Sequence, residues 1–411
     1  MSNFAELGLS PEILAAVNKL GYETPSPVQA QAIPFVLEGR NVVACAQTGT
    51  GKTAAFMLPL MQLISHSKGK GLAPRALIVS PVRELAAQIE KVARTVARQK
   101  DLRVGVVVGG VKYGPQLDRL ARGVDVLVAT PGRLIDLMSN KHVDLTKIEI
   151  LVLDEADRML DMGFWPQIQK IMAQIPERSQ KLLFSATIGR EIDKMVDTHM
   201  PNPVRVEIAR KGMTADKIAQ VAMPVVYSQK SDLLVAVIDR IATGKTLVFT
   251  RTKRRADNVT RILRKTGVRC EAIHGDRSQA QRTRALEQFT NGKIDVLVTT
   301  DVIARGIDVK NIDHVINYDT PANPEDYIHR IGRTGRAGAS GNAITFLSPE
   351  EINDFRNIEY LTGQLIPVDD LEEFPYGPGR IVPREDRSVV KKKEKPFSQR
   401  RGGGRSRYGR R

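Results

Sequence analysis

The 411 residues are 42% hydrophobic and 26% charged, a globular balance, and the chain is too long for a single hydrophobic core. No apolar run approaches the roughly 20 residues that cross a bilayer, and the start, MSNFAELGLSPE, lacks the basic and apolar parts of a signal peptide. Of the net charge of +16, residues 380–411 carry +10 (13 Lys/Arg against 3 Asp/Glu), so the excess is a tail.

In chain order, short apolar runs predict strands at 41–46, 75–80, 104–109, 125–130, 149–154 and 181–186, then at 246–250, 270–275, 295–300, 314–318 and 342–347. Spans of helical period lie between them, such as 83–98, 165–175, 253–266 and 279–290. Continuous rather than alternating apolar runs imply strands buried on both faces, hence parallel sheets covered by helices. Cys45 and Cys270 fall in these runs and form neither a metal motif nor a disulfide framework. The polar stretch ARKGMTADK (209–217) breaks the rhythm and reads as a linker between two α/β domains. The end, SQRRGGGRSRYGRR, has too little apolar content to fold alone. It is either a solubilising tail or a flexible arm for polyanions. The chain is expected to be intracellular and cytoplasmic, with no membrane association.

Ligands of open α/β sheets bind at the carboxyl ends of the strands, and the polar motifs sit there. AQTGTGKT (46–53) follows a strand and opens a helix. Gly49 and Gly51 let the backbone turn and aim N–H groups at phosphate oxygens, and the helix adds its positive end. Lys52 can reach the β- and γ-phosphates, and the Thr53 hydroxyl can ligate Mg²⁺. The first Gly of the general pattern is Ala46 here, so the strand–loop–helix context carries the assignment. The run Ile150–Leu153 ends in Asp154, Glu155 and, after one Ala, Asp157. Adjacent carboxylates repel one another, and Mg·ATP would relieve them. Asp154 would hold Mg²⁺, and Glu155 would orient or deprotonate the attacking water. Asp157 is expected to pair with another motif. Arg330, Arg333 and Arg336 recur every three residues, either as a solvated loop or as arginines supplied to an ATP site from a second domain.

The ordered set GYETPSPVQ (21–29), AQTGTGKT (46–53), PVRELAAQ (81–88), GG (109–110), TPGR (130–133), DEAD (154–157) and SAT (185–187) resembles a DEAD-box RNA helicase of superfamily 2. The series continues with LVFTRT (247–252), HGDRSQAQR (274–282), TTDVIARGID (299–308) and HRIGRTGR (329–336), and the nearest branch is the bacterial RhlE type. The resemblance covers about residues 4–365. It implies two tandem RecA-like domains, 1–208 and 218–365, each a parallel sheet flanked by helices. A basic, disordered tail would occupy 366–411.

The resemblance also implies roles. Gln29 would read the adenine edge, and Phe4 would stack on the base or else serve as a helix staple. Gln47, Thr48 and Thr50 would join Gly49, Gly51, Lys52 and Thr53 around the phosphates, and Asp308 would touch the ribose. Lys52, Glu155, Arg333 and Arg336 would be catalytic. Ser185 and Thr187, with Asp157 nearby, would link the ATP site to RNA. His329 would join them, or be a core histidine. RNA would meet Arg83, Gly110, Thr130, Gly132 and Arg133 in the first domain, and Thr250, Arg251, Gln279, Arg282, Thr300 and Arg305 in the second. Such backbone contacts read no sequence. The family usually has Thr where this chain has Val82, which removes one hydroxyl.

The expected activity is RNA-stimulated ATP hydrolysis by a two-domain clamp. ATP and RNA together would close it, and closure would pry apart a short duplex locally. Ribosome-assembly and RNA-decay proteins are compatible partners. A DNA translocase of the same superfamily and an RNA-annealing protein with a vestigial ATP site are the rival readings.

Overall fold

The computed structural model describes residues 3–46, 49–64, 73–208, 218–301, 309, 312–335 and 340–390. Gln47, Thr48, Arg305, Asp308, Arg336, the linker 209–217 and the tail from 391 lie outside the described residues.

The first sheet contains β1 (Val42–Cys45), β2 (Ala76–Val79), β3 (Val104–Val107), β4 (Val126–Ala129), β5 (Ile150–Asp154), β6 (Gln180–Ser185) and β7 (Val204–Glu207). Their order is β3-β4-β2-β5-β6-β1-β7. The second contains β8 (Ile218–Pro224), β9 (Thr246–Phe249), β10 (Cys270–Ile273), β11 (Val296–Thr299), β12 (His314–Asn317) and β13 (Gly341–Leu347), in the order β10-β11-β9-β12-β13-β8. Every pairing between these strands is parallel. Helices cover the faces, as in tandem RecA-like domains.

The continuous apolar runs follow from burial on both faces. Ala76 and Ile78 of β2 enter one core with Phe56 and Ile89, while Leu77 and Val79 enter the opposite core with Leu134 and Met159. The second sheet repeats this. Val248 and Val298 pack with Leu233 and Leu263, and Leu247 and Leu297 pack with Phe289. Successive side chains of a strand point to opposite faces, so a strand covered on both sides must be apolar at every position.

Residues 366–390, expected to be disordered, instead pack on the second sheet. Ala222 of β8 donates to Pro367 O and accepts from Asp369 N, which covers part of the exposed edge of that strand. Leu371 joins the core beside Phe374 and Tyr376, and Gln229 holds Pro375 O and Gly377 N. Arg387 pairs at 2.6 Å with the fully buried Glu359. The basic composition of the C-terminal region hid these anchoring residues.

Strand order also divides the first sheet's expected site residues. Strands β5, β6 and β1 are neighbours and end at Asp154, Ser185 and the 46–53 loop. Strands β3, β4 and β2 are neighbours and lead into Gly110, Thr130 and Arg83. One end of one sheet therefore presents two adjoining clefts.

Candidate active site and nucleic-acid cleft

The nucleotide half is built on the loop after β1. Gly49 and Gly51 have φ of 87° and 90°, the left-handed region that glycine enters without steric cost. The loop runs into the helix Lys52–Leu63. Gln29 lies behind it, in the helix Pro27–Leu37. Its Oε1 accepts from Ser26 N at 2.9 Å and its Nε2 donates to Gly51 O at 3.0 Å. A β-carbon at Gly51 would collide with that amide, so Gln29 and Gly51 require each other. Phe4 is 3% exposed, packed within the core and stacked against Tyr22. That burial leaves little ring surface for a base, and Phe4 is the first residue of a short helix rather than one preceding it.

Lys52 and Asp154 are both buried, yet among the described residues Lys52 Nζ and Asp154 Oδ1 have no hydrogen-bond partner. Buried charge without a partner is costly, so such atoms mark where a ligand belongs. Burial, and then the Glu155 charge, push the Asp154 carboxyl up to about 7. Glu155 sits at φ 53°, ψ 55°, a strained conformation for a residue with a side chain, and pairs with Arg158 Nη1 at 3.0 Å. The donor set fits Mg²⁺ bound to phosphate. Mg²⁺ is held by one or two carboxylates plus substrate phosphates, and Asp154 offers an oxygen without a hydrogen-bond partner among the described residues.

Asp157, Ser185 and Thr187 come together. Asp157 Oδ2 accepts from Ala186 N at 3.0 Å, Thr187 N at 2.9 Å and Thr187 Oγ1 at 3.2 Å. Ser185 Oγ accepts from Asp157 N at 3.2 Å and donates to Thr187 O at 2.6 Å. Burial pushes the Asp157 carboxyl up, but Lys52, the N–H groups of Thr187 and Arg158, and the His329 charge together hold it below its ordinary value. His329 belongs to the helix Pro324–Ile331 of the second domain. The two described arginines of the 330–336 run differ. Arg330 is buried and fully engaged by Asp301, Asn317 and Asp319 O. Arg333 is buried with Nε donating to His329 O at 3.3 Å.

The second cleft holds Arg83 against Gly110, whose φ of 67° and missing β-carbon make room for the guanidinium. Thr130 Oγ1 accepts from Gly109 N at 3.3 Å. Arg133 lies 4.9 Å over the Tyr113 ring and donates to Val111 O at 3.3 Å, and the Gly132 position is open. Burial, then the charge of Arg282, lower the Arg83 pKa, with Glu84 opposing.

From the second sheet, Arg251 is half exposed, with its backbone N–H held by Asp319 and its guanidinium on Thr320 O. Thr300 is buried at the end of β11. Three expected RNA contacts are corrected. Thr250 is fully buried and its hydroxyl bonds Thr252 O and Thr299 O, so it is not presented to a ligand. Arg282 is 6% exposed and forms an ion pair with Glu84 across the two domains, and Gln279 Nε2 donates to Glu84 Oε1 at 3.3 Å. These side chains join the domains. Glu84 was missed by sequence reasoning. In the first turn of its helix, an acid has an ordinary reason to be there.

Two parallel α/β domains, a phosphate loop, a Lys and an Asp without hydrogen-bond partners among the described residues, and a second group of basic residues drawn from both domains define a two-domain RecA-like ATPase. Residues 26–195 match the DEAD/DEAH box helicase family, and residues 229–338 match the Helicase conserved C-terminal domain. The chain is 44% identical over 362 residues to the ATP-dependent RNA helicase CshA of Listeria monocytogenes, covering 88% of this chain and 69% of that protein. It is 40% identical over 403 residues to the DEAD-box ATP-dependent RNA helicase CshA of Geobacillus kaustophilus, covering 97% and 86%. The chain belongs to the DEAD-box ATP-dependent RNA helicases. The structure of S. cerevisiae Dbp5 bound to RNA and ADP BeF3 is similar at TM-score 0.81 and 33% identity, over 90% of this chain and 96% of that one. No helix among the described residues is long and apolar enough to cross a membrane.

Proposed function

We propose that the chain is an RNA-activated clamp that hydrolyses ATP only when its two domains close, and that closure locally and non-processively unwinds short duplexes. The observation that carries this is the Glu84–Arg282–Gln279 joint, which ties the domains together beside Arg83 and Gly110. Each ligand would touch both domains, so each favours closure and hence the other's binding.

Thr53 and Asp154 would hold Mg²⁺, which supplies charge neutralisation at the phosphates. Lys52 and the 46–53 loop would bind the phosphate chain, Gln29 would hold the loop in shape, and Glu155 would orient the attacking water. Arg333 and Arg336 would approach from the second domain. Arg83, Gly110, Thr130, Gly132, Arg133, Arg251, Thr300 and Arg305 would line the strand through its backbone. The tail from 391 would add salt-dependent affinity without sequence preference. The RhlE-type branch belongs to this reading, while the relatives above carry the CshA name. A cytoplasmic location, the linker at 209–217 and partners in ribosome assembly or RNA decay belong to the same reading.

The test is steady-state ATP hydrolysis with single-stranded RNA, with matched DNA, and in Glu155→Gln. Stimulation by RNA alone, with a loss of about 10²–10⁴-fold in the variant, is expected. Equal stimulation by DNA would favour a translocase. Strand annealing that survives Lys52→Ala without RNA-stimulated hydrolysis would favour the annealing protein.

A further inference from the structure

The helix that follows β9, Lys253–Lys265, has the sequence KRRADNVTRILRK, with six basic residues and one acidic residue. No other described helix has so one-sided a charge. It begins two residues after Arg251, at the expected RNA track, and runs about 20 Å from it at 1.5 Å per residue. Its buried side, Ala256, Val259 and Leu263, packs into the core. Arg254, Arg261 and Lys265 are exposed, and their spacing of seven and then four residues puts them on one face.

Other cations on this surface are matched. Lys253 pairs with Asp276 at 2.6 Å, Arg264 with Glu271 at 2.6 Å, and Arg277 with Asp257 at 2.6 Å. Among the described residues, Arg254, Arg261 and Lys265 have no carboxylate within ion-pair distance. Beside them lies a groove of about 520 Å³ lined by Asp257, Thr260, Arg261, Arg264, Lys265 and Arg277. The one carboxylate in it, Asp257, is taken by Arg277 and by His274 at 2.9 Å. The first turn carries three basic and no acidic residues. There, cations oppose the helix dipole, at about 0.3–1 kcal/mol each. Stability alone does not select this arrangement, and a phosphate backbone lying along the face would relieve it.

We propose that this face and its groove form a second RNA-backbone site, which continues the track past Arg251 and holds a phosphodiester segment flanking the clamped strand. The proposal rests on the clamp reading. It makes the second domain, and not only the tail, a source of affinity for longer RNA.

The test uses the full chain and two single-stranded RNAs, one that fills only the clamp and one several times longer. Dissociation constants are measured for the parent and for the triple variant R254Q/R261Q/K265Q, with thermal unfolding as a check on folding. The variant is expected to lose several-fold of the affinity gained by lengthening the RNA. Its salt slope for the long RNA should fall by about 2, at about 0.7 per lost contact. R254E/R261E/K265E should enlarge the loss. The tail is common to parent and variants and cancels in this comparison. Equal weakening for both RNAs would overturn the proposal in favour of a general field, and unchanged affinity for both would overturn it outright. If the short RNA fails to stimulate ATP hydrolysis in the parent, the clamp reading itself is wrong.

Discussion

Lys52 and Lys230 are both buried lysines at the start of a helix, one in each domain, and they differ in one respect. Lys230 is fully buried and donates to Tyr318 O at 2.8 Å and Glu351 Oε2 at 2.6 Å, with Asp319 at 3.7 Å. Lys52 Nζ has no hydrogen-bond partner among the described residues. The neighbouring acids repeat the contrast. Asp319 accepts from Arg251 N and pairs with Arg255, whereas Asp154 Oδ1 is bare. The second domain's buried charges satisfy one another and hold its fold. The first domain's are arranged for a charge that arrives from outside.

Replacing each lysine in turn should separate the two domains most strongly. Lys230→Met leaves Glu351 buried without its 2.6 Å cation, and should cost about 3–5 kcal/mol in denaturant unfolding. Lys52→Met removes an ammonium that acts on Asp154 and Asp157 through space, without a hydrogen bond among the described residues, and should cost less than Lys230→Met, while ATP binding is lost. A Lys52 variant as unstable as the Lys230 variant would mean that both lysines are structural.

The bare carboxylate carries a pH signature. Asp154 keeps its proton up to about 7 in the folded chain, against an ordinary value of 3.8. Between those values the folded state binds more protons than the unfolded one. Stability from this group therefore falls as pH rises from about 4 to about 7, by about 1.4 kcal/mol per unit of displacement. Asp157, held below its ordinary value, works in the opposite sense, so the difference between parent and variant isolates Asp154. Asp154→Asn should be more stable than the parent at pH 8, with the gap closing toward pH 4. A gap independent of pH would show that Asp154 is already ionised when folded.

The Glu84–Arg282 pair belongs to neither side of the contrast, since it joins the domains. Arg282→Ala should weaken the mutual enhancement of ATP and RNA binding. The loss should be within the roughly 1–3 kcal/mol of ordinary coupling and equal in both directions. Weaker RNA binding with coupling intact would return Arg282 to the role of an RNA contact.

The interior strands were legible because burial on both faces forces an apolar residue at every position. Two of the four edge strands escape that rule. β7 alternates exposed and buried residues, and β8 has a half-open middle, so neither produced a continuous run. Site residues were legible where a strand end meets a motif, as at Asp154 and Ser185. Glu84 was not, because its partner Arg282 belongs to the other domain and meets it only when two sheets are brought together. Thr250 was misread because a hydroxyl beside a motif looks available until its burial is known.

The weakest effect falls at Val82. It is the N-cap of the helix Arg83–Ala97, with extended φ −136° and ψ 156°, and it makes no side-chain cap bond. Valine is among the poorest N-caps, while a threonine hydroxyl can accept from the first free N–H groups of the helix. Val82→Thr should raise stability by about 0.5–1 kcal/mol. The same hydroxyl stands beside Arg83, so one neutral hydrogen bond to RNA would add about 0.5–1.5 kcal/mol of affinity. Thermal unfolding and RNA binding separate the two effects, because the hydroxyl's lone pairs and its proton serve different partners. Stability gained without affinity would make the position a cap alone, and the valine a simple loss to the helix. Affinity gained without stability would mean that the hydroxyl turns toward the strand, leaving this chain with one phosphate contact fewer than its relatives that carry threonine.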